Sequence, residues 1–372
     1  MKPEEFHLER YMSLYEFSAR YSLASSDCES FPLAEVVSWA DDECRGLWEA
    51  LTLGYTESQG LPQLREEIAG LYDGVAAGDV LEVVPEEGIL IAMTVLLEPG
   101  DHVIVTHPGY QTLYGIAEGL GCEVTYWQPD EEQGWRFDPG FVRDAVRPAT
   151  RLIVANFPHN PTGYLPTGAE YQDLLDIAAD AGAYLFSDEM YRGLEQDPAT
   201  RLPSAVERYE KAVALSGMSK TYSMPGLRVG WLATRDRELY ARLAAYKDYT
   251  TICAGAPSEI LALIGLREHE RIIARNLRII SGNLDRLEAF AAARPGLLSL
   301  VRPRAGSICL ARLGAAEGAL AFCRRLVEEA GALLLPSTVF GYGDAHVRFG
   351  LGRVDFGEGL EAFAVWLEGR GG

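Results

Sequence analysis

Several features that mark common protein classes are scarce in this chain of 372 residues. Basic residues are few: 33 lysines and arginines stand against 54 aspartates and glutamates, a formal net charge of −21. A nucleic-acid surface needs a basic footprint, so that class is excluded. A cleft can differ in charge from the global surface, which leaves a small substrate of either sign open. Only six cysteines occur (Cys28, Cys44, Cys122, Cys253, Cys309 and Cys323), within apolar segments and without CxxC spacing. They read as buried thiols of a reducing cytosol, not as a disulfide framework. The six histidines (7, 102, 107, 159, 269 and 346) have no metal-ligand spacing. No apolar run approaches the roughly 18 residues of a membrane-spanning helix. The opening MKPEEFHLERY has no apolar stretch of the kind a secretory signal carries. The expectation is a cytoplasmic protein that meets neither membrane nor nucleic acid.

Hydrophobic residues make up 48% of the chain, enough for a packed core. The length suits one large domain with a smaller one. Through the middle, short β-branched runs alternate with helix-length segments. HVIVTH (102–107), EVTYW (123–127), RLIVANF (151–157), AYLFSD (183–188), AVALSG (212–217) and RVGWLA (228–233) read as strands. EEGILIAMTVLL (86–97), LYGIAEGLG (113–121), FVRDAV (141–146) and YQDLLDIAADAG (171–182) read as helices. Such alternation implies an α/β domain whose mostly parallel sheet is flanked by helices. The last third, with strands SICLARL (307–313) and HVRFGL (346–351), reads as a smaller α+β domain. The expected organisation is a large domain over 40–280, with 1–39 and 281–372 forming an N-terminal arm and small domain.

Polar residues gather at the ends of these strands. His107 to Tyr110 follow one, His159 to Gly163 another; Asp188 ends a third and Lys220 follows a fourth. In open α/β sheets, ligands bind outside the carboxyl ends of strands. The stretch SGMSKTYSMPGLRVGW (216–231) sets Lys220 among hydroxyls, with Arg228 eight residues on. A partly desolvated lysine becomes a nucleophile or Schiff-base former. The hydroxyls and Arg228 are donors for an anion, most simply a phosphate. An aldehyde carrying a phosphate satisfies both, and pyridoxal 5′-phosphate (PLP) fits that description.

SGMSKTYSMPGLRVGW resembles the cofactor-lysine segment of fold-type I PLP enzymes, the class I/II aminotransferase group. Other stretches agree in kind and order. NFPHNPTG (156–163) resembles the Asn-Pro-Thr-Gly signature, and SDEMY (187–191) the strand-end Asp with Tyr three residues on. HPGYQ (107–111) resembles the segment supplying a ring against the cofactor, and GYTESQGLPQLRE (54–66) the stretch entering the large domain. HVRFGLGR (346–353) resembles the segment of the carboxylate-binding arginine. The likeness spans about residues 20 to 360.

The resemblance implies a role for each residue. Lys220 holds PLP as a Schiff base. Asp188 faces the pyridine nitrogen and keeps it protonated. Tyr191 and Asn160 hydrogen-bond the ring's phenolic oxygen, although alone Asn160 reads as a turn residue before proline. Tyr110 stacks on the ring. Arg228, Ser219 and Ser216 hold the phosphate, with amides near Glu86 and Glu87 at a helix N-terminus. Arg348 clamps the substrate α-carboxylate. Tyr55 reaches the phosphate of a second subunit, which implies a homodimer with shared sites. Two departures stand out. VVPEEGI (83–89) places Pro85 and Glu86 where relatives often carry small residues, so Glu86 is expected to point away from the phosphate. Gly217 stands three residues before Lys220, where many relatives have serine.

These motifs identify the first chemical steps better than the outcome. Transamination, from an L-amino acid to a 2-oxo acid, is the first reading. Elimination, replacement or cyclisation is the second, prompted by YSLASSDCESF (21–31). That segment lacks the usual glycine- and proline-rich entrance and is similar to one in capreomycidine-synthase-type enzymes, which act on an arginine derivative. Ser26 and Asp27 then become substrate contacts, and Asp27 or Glu29 could meet a cationic side chain; as an isolated stretch it reads as a capped turn with solvated acids. A PLP-sensing regulatory module ranks behind both, because such proteins carry a basic winged-helix domain ahead of the PLP domain and the balance here is acidic.

Overall fold

Seven strands form the main sheet of the computed structural model, which describes Lys2 and Glu4 to Gly369. Their spatial order is Val80–Val83, Gly230–Ala233, Ala212–Gly217, Tyr184–Asp188, Thr150–Asn156, His102–Thr106 and Glu123–Trp127. The last five are mutually parallel. Gly230–Ala233 runs antiparallel to them, and the edge strand Val80–Val83 pairs antiparallel with Gly230–Ala233, which returns it to their direction. Most of these strands are wholly buried, which is why they read as unbroken apolar runs rather than alternating ones. Some connecting helices carry their own start or stop signals. Thr167 caps Gly168–Ala181 through its hydroxyl, Glu170 bonds back to the Thr167 amide, and Gly182 ends the helix at φ 64°. Pro85 opens Pro85–Leu96, and the Glu87 carboxylate accepts the Val84 N–H at 3.1 Å.

The smaller domain has a four-stranded antiparallel sheet in the order Leu335–Pro336, His346–Gly350, Ile308–Leu313 and Leu298–Leu300. The 24-residue helix His269–Ala292 runs between the last segment of the large domain and this sheet. The chain's start joins the small domain too, since Tyr21–Ser22 pairs parallel with Ala332–Leu333. Before it, helix His7–Tyr15 lies over the large domain: Phe6 packs edge-on against Tyr110 at 5.1 Å, and the Gln111 amide reaches the Glu5 carbonyl at 2.8 Å.

Two strands differ from the sequence reading. Val80–Val83 is too short, and too interrupted by Glu82, to stand out as a strand. The segment expected as 228–233 begins at Gly230 and runs antiparallel. Arg228 precedes it, in a left-handed conformation (φ 57°, ψ 36°) that non-glycine residues rarely adopt.

Candidate active site

Parallel pairing aligns the carboxyl ends of the central strands, so their last residues become neighbours. Asn156 pairs with Asp188, and Asp188 with Leu215. Beyond these ends lies a cavity of about 1060 Å³, closed on its far side by the N-terminal arm and the small domain. Lys220, Asp188, Tyr191, Asn160, Tyr110, Ser219, Arg228, Glu86, Arg348, Ser26 and Asp27 all line it. Residues far apart in sequence thus meet in one space.

Asp188 is buried, and its Oδ1 accepts the Met190 N–H at 3.1 Å. Burial pushes its carboxyl up to about 7, with the Met190 amide and Lys220 pulling the other way. It is an acid waiting for a cation. Asn156 steadies it: the amide nitrogen donates to the Asp188 carbonyl at 3.2 Å, and its Oδ1 accepts the Asn160 N–H at 2.8 Å. The sequence reading quoted Asn156 inside a motif but gave it no role. Tyr191 is 2% exposed, and its buried hydroxyl has no hydrogen-bond partner among the described residues. A buried polar group left without a partner is costly, so this hydroxyl calls for a ligand.

Arg348 comes from strand His346–Gly350 and reaches across to the large domain. It is 2% exposed. Nη1 donates to Asn160 Oδ1 at 3.0 Å and Nη2 to the Ala24 carbonyl at 2.8 Å, while Nε has no partner. Among the described residues no carboxylate stands within ion-pair distance of it. Burial lowers its pKa. A buried cation without an anion is expensive unless a ligand supplies one.

The mouth is acidic. The Tyr110 hydroxyl donates to Glu9 at 3.2 Å, and burial together with the Glu86 and Glu9 carboxylates raises its pKa. Glu9 and Glu16 line the cavity with Asp27, whose Oδ2 accepts from Arg353 at 2.9 Å. Burial raises Glu16, and Asp27 and Glu9 add to the shift. Sequence reasoning missed Glu9, Glu16 and Arg353, because no local pattern says that the arm folds over the strand ends.

Two expectations change, those for Glu86 and Ser216. Glu86 does not point away from the cavity: it is half-buried among Tyr110, Thr112 and Asp188, and burial pushes its carboxyl up to about 7. The Glu87 side chain does turn away, accepting from the Thr251 amide at 3.1 Å and its hydroxyl at 2.7 Å. Both amides still precede the first intrahelical bond, from Gly88 N to Val84 O, so both are free to donate. Ser216 is buried in its strand opposite Trp231 and is not among the cavity-lining residues, whereas Ser219 is. Tyr55 is 92% exposed, outside the cavity of its own chain. His107 and His159 pack into aromatic clusters, at 4.4 Å from Tyr126 and 4.6 Å from Phe137, and burial holds them neutral at about 4 and about 3.

Residues 23–356 match the family model described as aminotransferase class I and II. The chain belongs to that family. Among curated relatives, capreomycidine synthase of Streptomyces vinaceus is 30% identical over 283 residues, covering 76% of this chain and 72% of the relative. Among solved structures, a PLP-dependent aminotransferase from Streptococcus suis 89-1591 superposes with a TM-score of 0.92 at 34% identity, covering 99% of this chain and 98% of that one. The PLP-dependent cyclase OrfR superposes with a TM-score of 0.89 at 28% identity, covering 100% and 98%.

The cofactor of this aminotransferase-family enzyme is PLP. The residues present fit it. The cavity offers an amine (Lys220), a buried acid with no ion pair among the described residues (Asp188), a phenol with no hydrogen-bond partner among them (Tyr191), and free donors at a helix N-terminus. Glu86 is compatible with a nearby phosphate because burial already favours its neutral form.

Proposed function

We propose that this enzyme is an aminotransferase that moves the amino group of an L-amino acid to a 2-oxo acid. The observation that carries the reading is Arg348, a buried cation with no carboxylate partner among the described residues, in the cavity that also holds Lys220 and Asp188. An α-carboxylate meets that need, and a guanidinium fork binds it bidentately. Asn160 Oδ1 already accepts from Arg348, which leaves its amide hydrogens, with the Tyr191 hydroxyl, to donate to the phenolic oxygen of the cofactor. Asp188 would hold the proton on the ring nitrogen, and Tyr110 would offer a ring to stack against the cofactor. Arg228, Ser219 and the Glu86 and Glu87 amides would hold the phosphate. When bound, PLP supplies an electron sink for the charge left at Cα. Lys220 takes the Cα proton, carries it and delivers it.

A second reading has specific support. Glu9, Glu16 and Asp27 bring three acids to one mouth that holds two cations, Arg10 and Arg353, the latter paired to Asp27. That surplus suits an amino acid with a cationic side chain, and two relatives are named as a capreomycidine synthase and a cyclase. Elimination followed by ring closure on such a substrate uses the same residues.

We assign the working unit to a homodimer in which Tyr55 serves the neighbour's phosphate, consistent with its exposure. A cytosolic location is supported by the six free thiols. Among the described residues no helix is long and apolar enough to cross a membrane.

An amino-acid screen under single-turnover conditions tests the function. Conversion to the pyridoxamine form, reversed by a 2-oxo acid, supports transamination. Loss of a side-chain substituent without that conversion selects the second reading. Lys220→Ala is expected to lose the absorbance of covalently bound cofactor and nearly all turnover. Borohydride reduction and peptide mapping should put the label on Lys220, and a label elsewhere overturns the assignment.

A further inference from the structure

The amine of Lys220 donates to Ser26 Oγ at 2.7 Å, across 194 positions of sequence. Among the described residues this is its one side-chain partner. Ser26 belongs to the segment YSLASSDCESF, whose backbone is held from several sides. Gly350 N donates to the Leu23 carbonyl at 2.7 Å, and Glu29 N to the Gly352 carbonyl at 2.9 Å. The Ser307 hydroxyl donates to the Ser26 carbonyl at 2.5 Å. Contact is so close that a Cβ on Gly350 would stand 1.8 Å from the Ser25 carbonyl oxygen, and one on Gly352 2.6 Å from that of Asp27. Next door, the Ser25 hydroxyl is engaged with Ser22 at 2.7 Å. The small domain therefore fixes the backbone so that the Ser26 hydroxyl meets the lysine.

A free lysine amine sits on a flexible four-carbon stem with three rotatable donors. In this chemistry it is free only after substrate has displaced it from the cofactor. Where it then rests decides which carbon it can reach. We propose that Ser26 is a positioning residue that holds the Lys220 amine between its proton transfers and thereby sets how often the substrate proton returns to Cα rather than going forward. The inference rests on Lys220 being the acid–base group proposed above. In the step concerned, the Cα–H bond breaks, its electron pair passes to the cofactor ring, and the proton joins the nitrogen lone pair of Lys220. The proton then either re-forms the Cα–H bond or bonds to the cofactor carbon. Ser26 accepts a hydrogen bond throughout and loses no proton of its own.

The test uses the PLP-loaded enzyme and an amino acid that it converts. Deuterium wash-in at Cα reports proton return, and pyridoxamine formation reports forward transfer. Ser26→Ala is expected to change the ratio of return to conversion by at least about fivefold, with the about hundredfold scope of a hydrogen bond to a charged group as its upper bound. Cofactor retention should stay near wild type, and Ser26→Thr should restore the ratio. A ratio in Ser26→Ala matching wild type overturns the proposal. Should Ser26→Ala fail to hold PLP, Ser26→Cys is read in the same assay. An independent arm uses enzyme loaded with pyridoxamine 5′-phosphate, in which Lys220 is not bonded to the cofactor. Acetic anhydride should acetylate Lys220 several-fold faster in Ser26→Ala or Ser26→Cys than in wild type, and equal rates overturn the proposal. If wild type neither exchanges nor converts any amino acid, the function assigned to Lys220 fails, while the acetylation arm still decides whether Ser26 holds its amine.

Discussion

Asp188 and Glu86 carry the strongest pH dependence within the site. Burial pushes both carboxyls up to about 7, whereas an unfolded chain titrates them near their ordinary values, about 4. Folded protein lacking cofactor thus binds their protons more tightly than unfolded chain. The associated stability is complete below about pH 4 and is lost as pH rises through about 7. Cofactor-free enzyme should therefore melt at falling temperature from about pH 5 to about pH 8. Asp188→Asn should flatten that profile, because one of the two groups no longer titrates. On the proposed role of Asp188, PLP would bring a cationic ring nitrogen to it and favour its carboxylate, so the holoenzyme should also show a flatter profile. Thermal denaturation against pH, with and without PLP, checks all three. In catalysis the same substitution would remove the carboxylate that we propose keeps the ring protonated. Cα-proton exchange in Asp188→Asn should slow by several orders of magnitude, and near-normal deuterium exchange would refute the role.

The two departures around the phosphate seat are one packing feature of the strand–helix junction. A Cβ on Gly217 would meet Gly230 Cα at 2.8 Å and Pro85 Cγ at 3.0 Å; one on Gly230 would meet Pro85 Cγ at 2.7 Å. The proline ring at the start of helix Pro85–Leu96 fills the space over two neighbouring strands, which is why serine does not precede Lys220 by three residues here. Gly217→Ser should cost about 1–3 kcal/mol through overpacking. Pro85→Ala combined with it should recover part of that loss. The recovery is partial, because the Gly230 backbone remains. A denaturant-based double-mutant cycle measures the coupling, and strict additivity would separate the two positions.

At the level of the whole molecule, the prediction concerns Tyr55, which stands exposed on a segment far in sequence from Lys220 and Arg228. In a dimer with shared sites its hydroxyl makes a charge-assisted bond to the neighbour's phosphate. Tyr55→Phe should then weaken PLP retention by about ten- to a hundredfold without unfolding the chain. Mixing inactive Lys220→Ala with inactive Tyr55→Arg subunits should regain activity, since one site of each mixed dimer carries both wild-type residues. Mixtures as inactive as either parent after verified subunit exchange, or an active species that sediments as a monomer, would rule out shared sites.

Local chemistry alone marked out the parallel strands, because buried β-branched runs such as HVIVT and RLIVAN satisfy one another's backbone and little else. It also drew attention to Lys220 among its hydroxyls, whereas Asp188, Tyr191, Asn160 and Arg348 became candidates through the resemblance of their stretches to the aminotransferase motifs, since Asn160 alone reads as a turn residue. What lay beyond it depended on distance. The edge strand Val80–Val83 exists because Gly230–Ala233 offers it a partner. Glu9, Glu16 and Arg353 join the cavity only because the arm and the small domain fold over the strand ends. Glu86 faces inward, against expectation, because the helix that starts at Pro85 is packed over Gly217 and Gly230. The Ser26–Lys220 bond spans two domains and leaves no trace in either local stretch. Residue type and short-range spacing thus determined the kind of chemistry; close packing of distant segments decided which side chains surround it and how their charges balance.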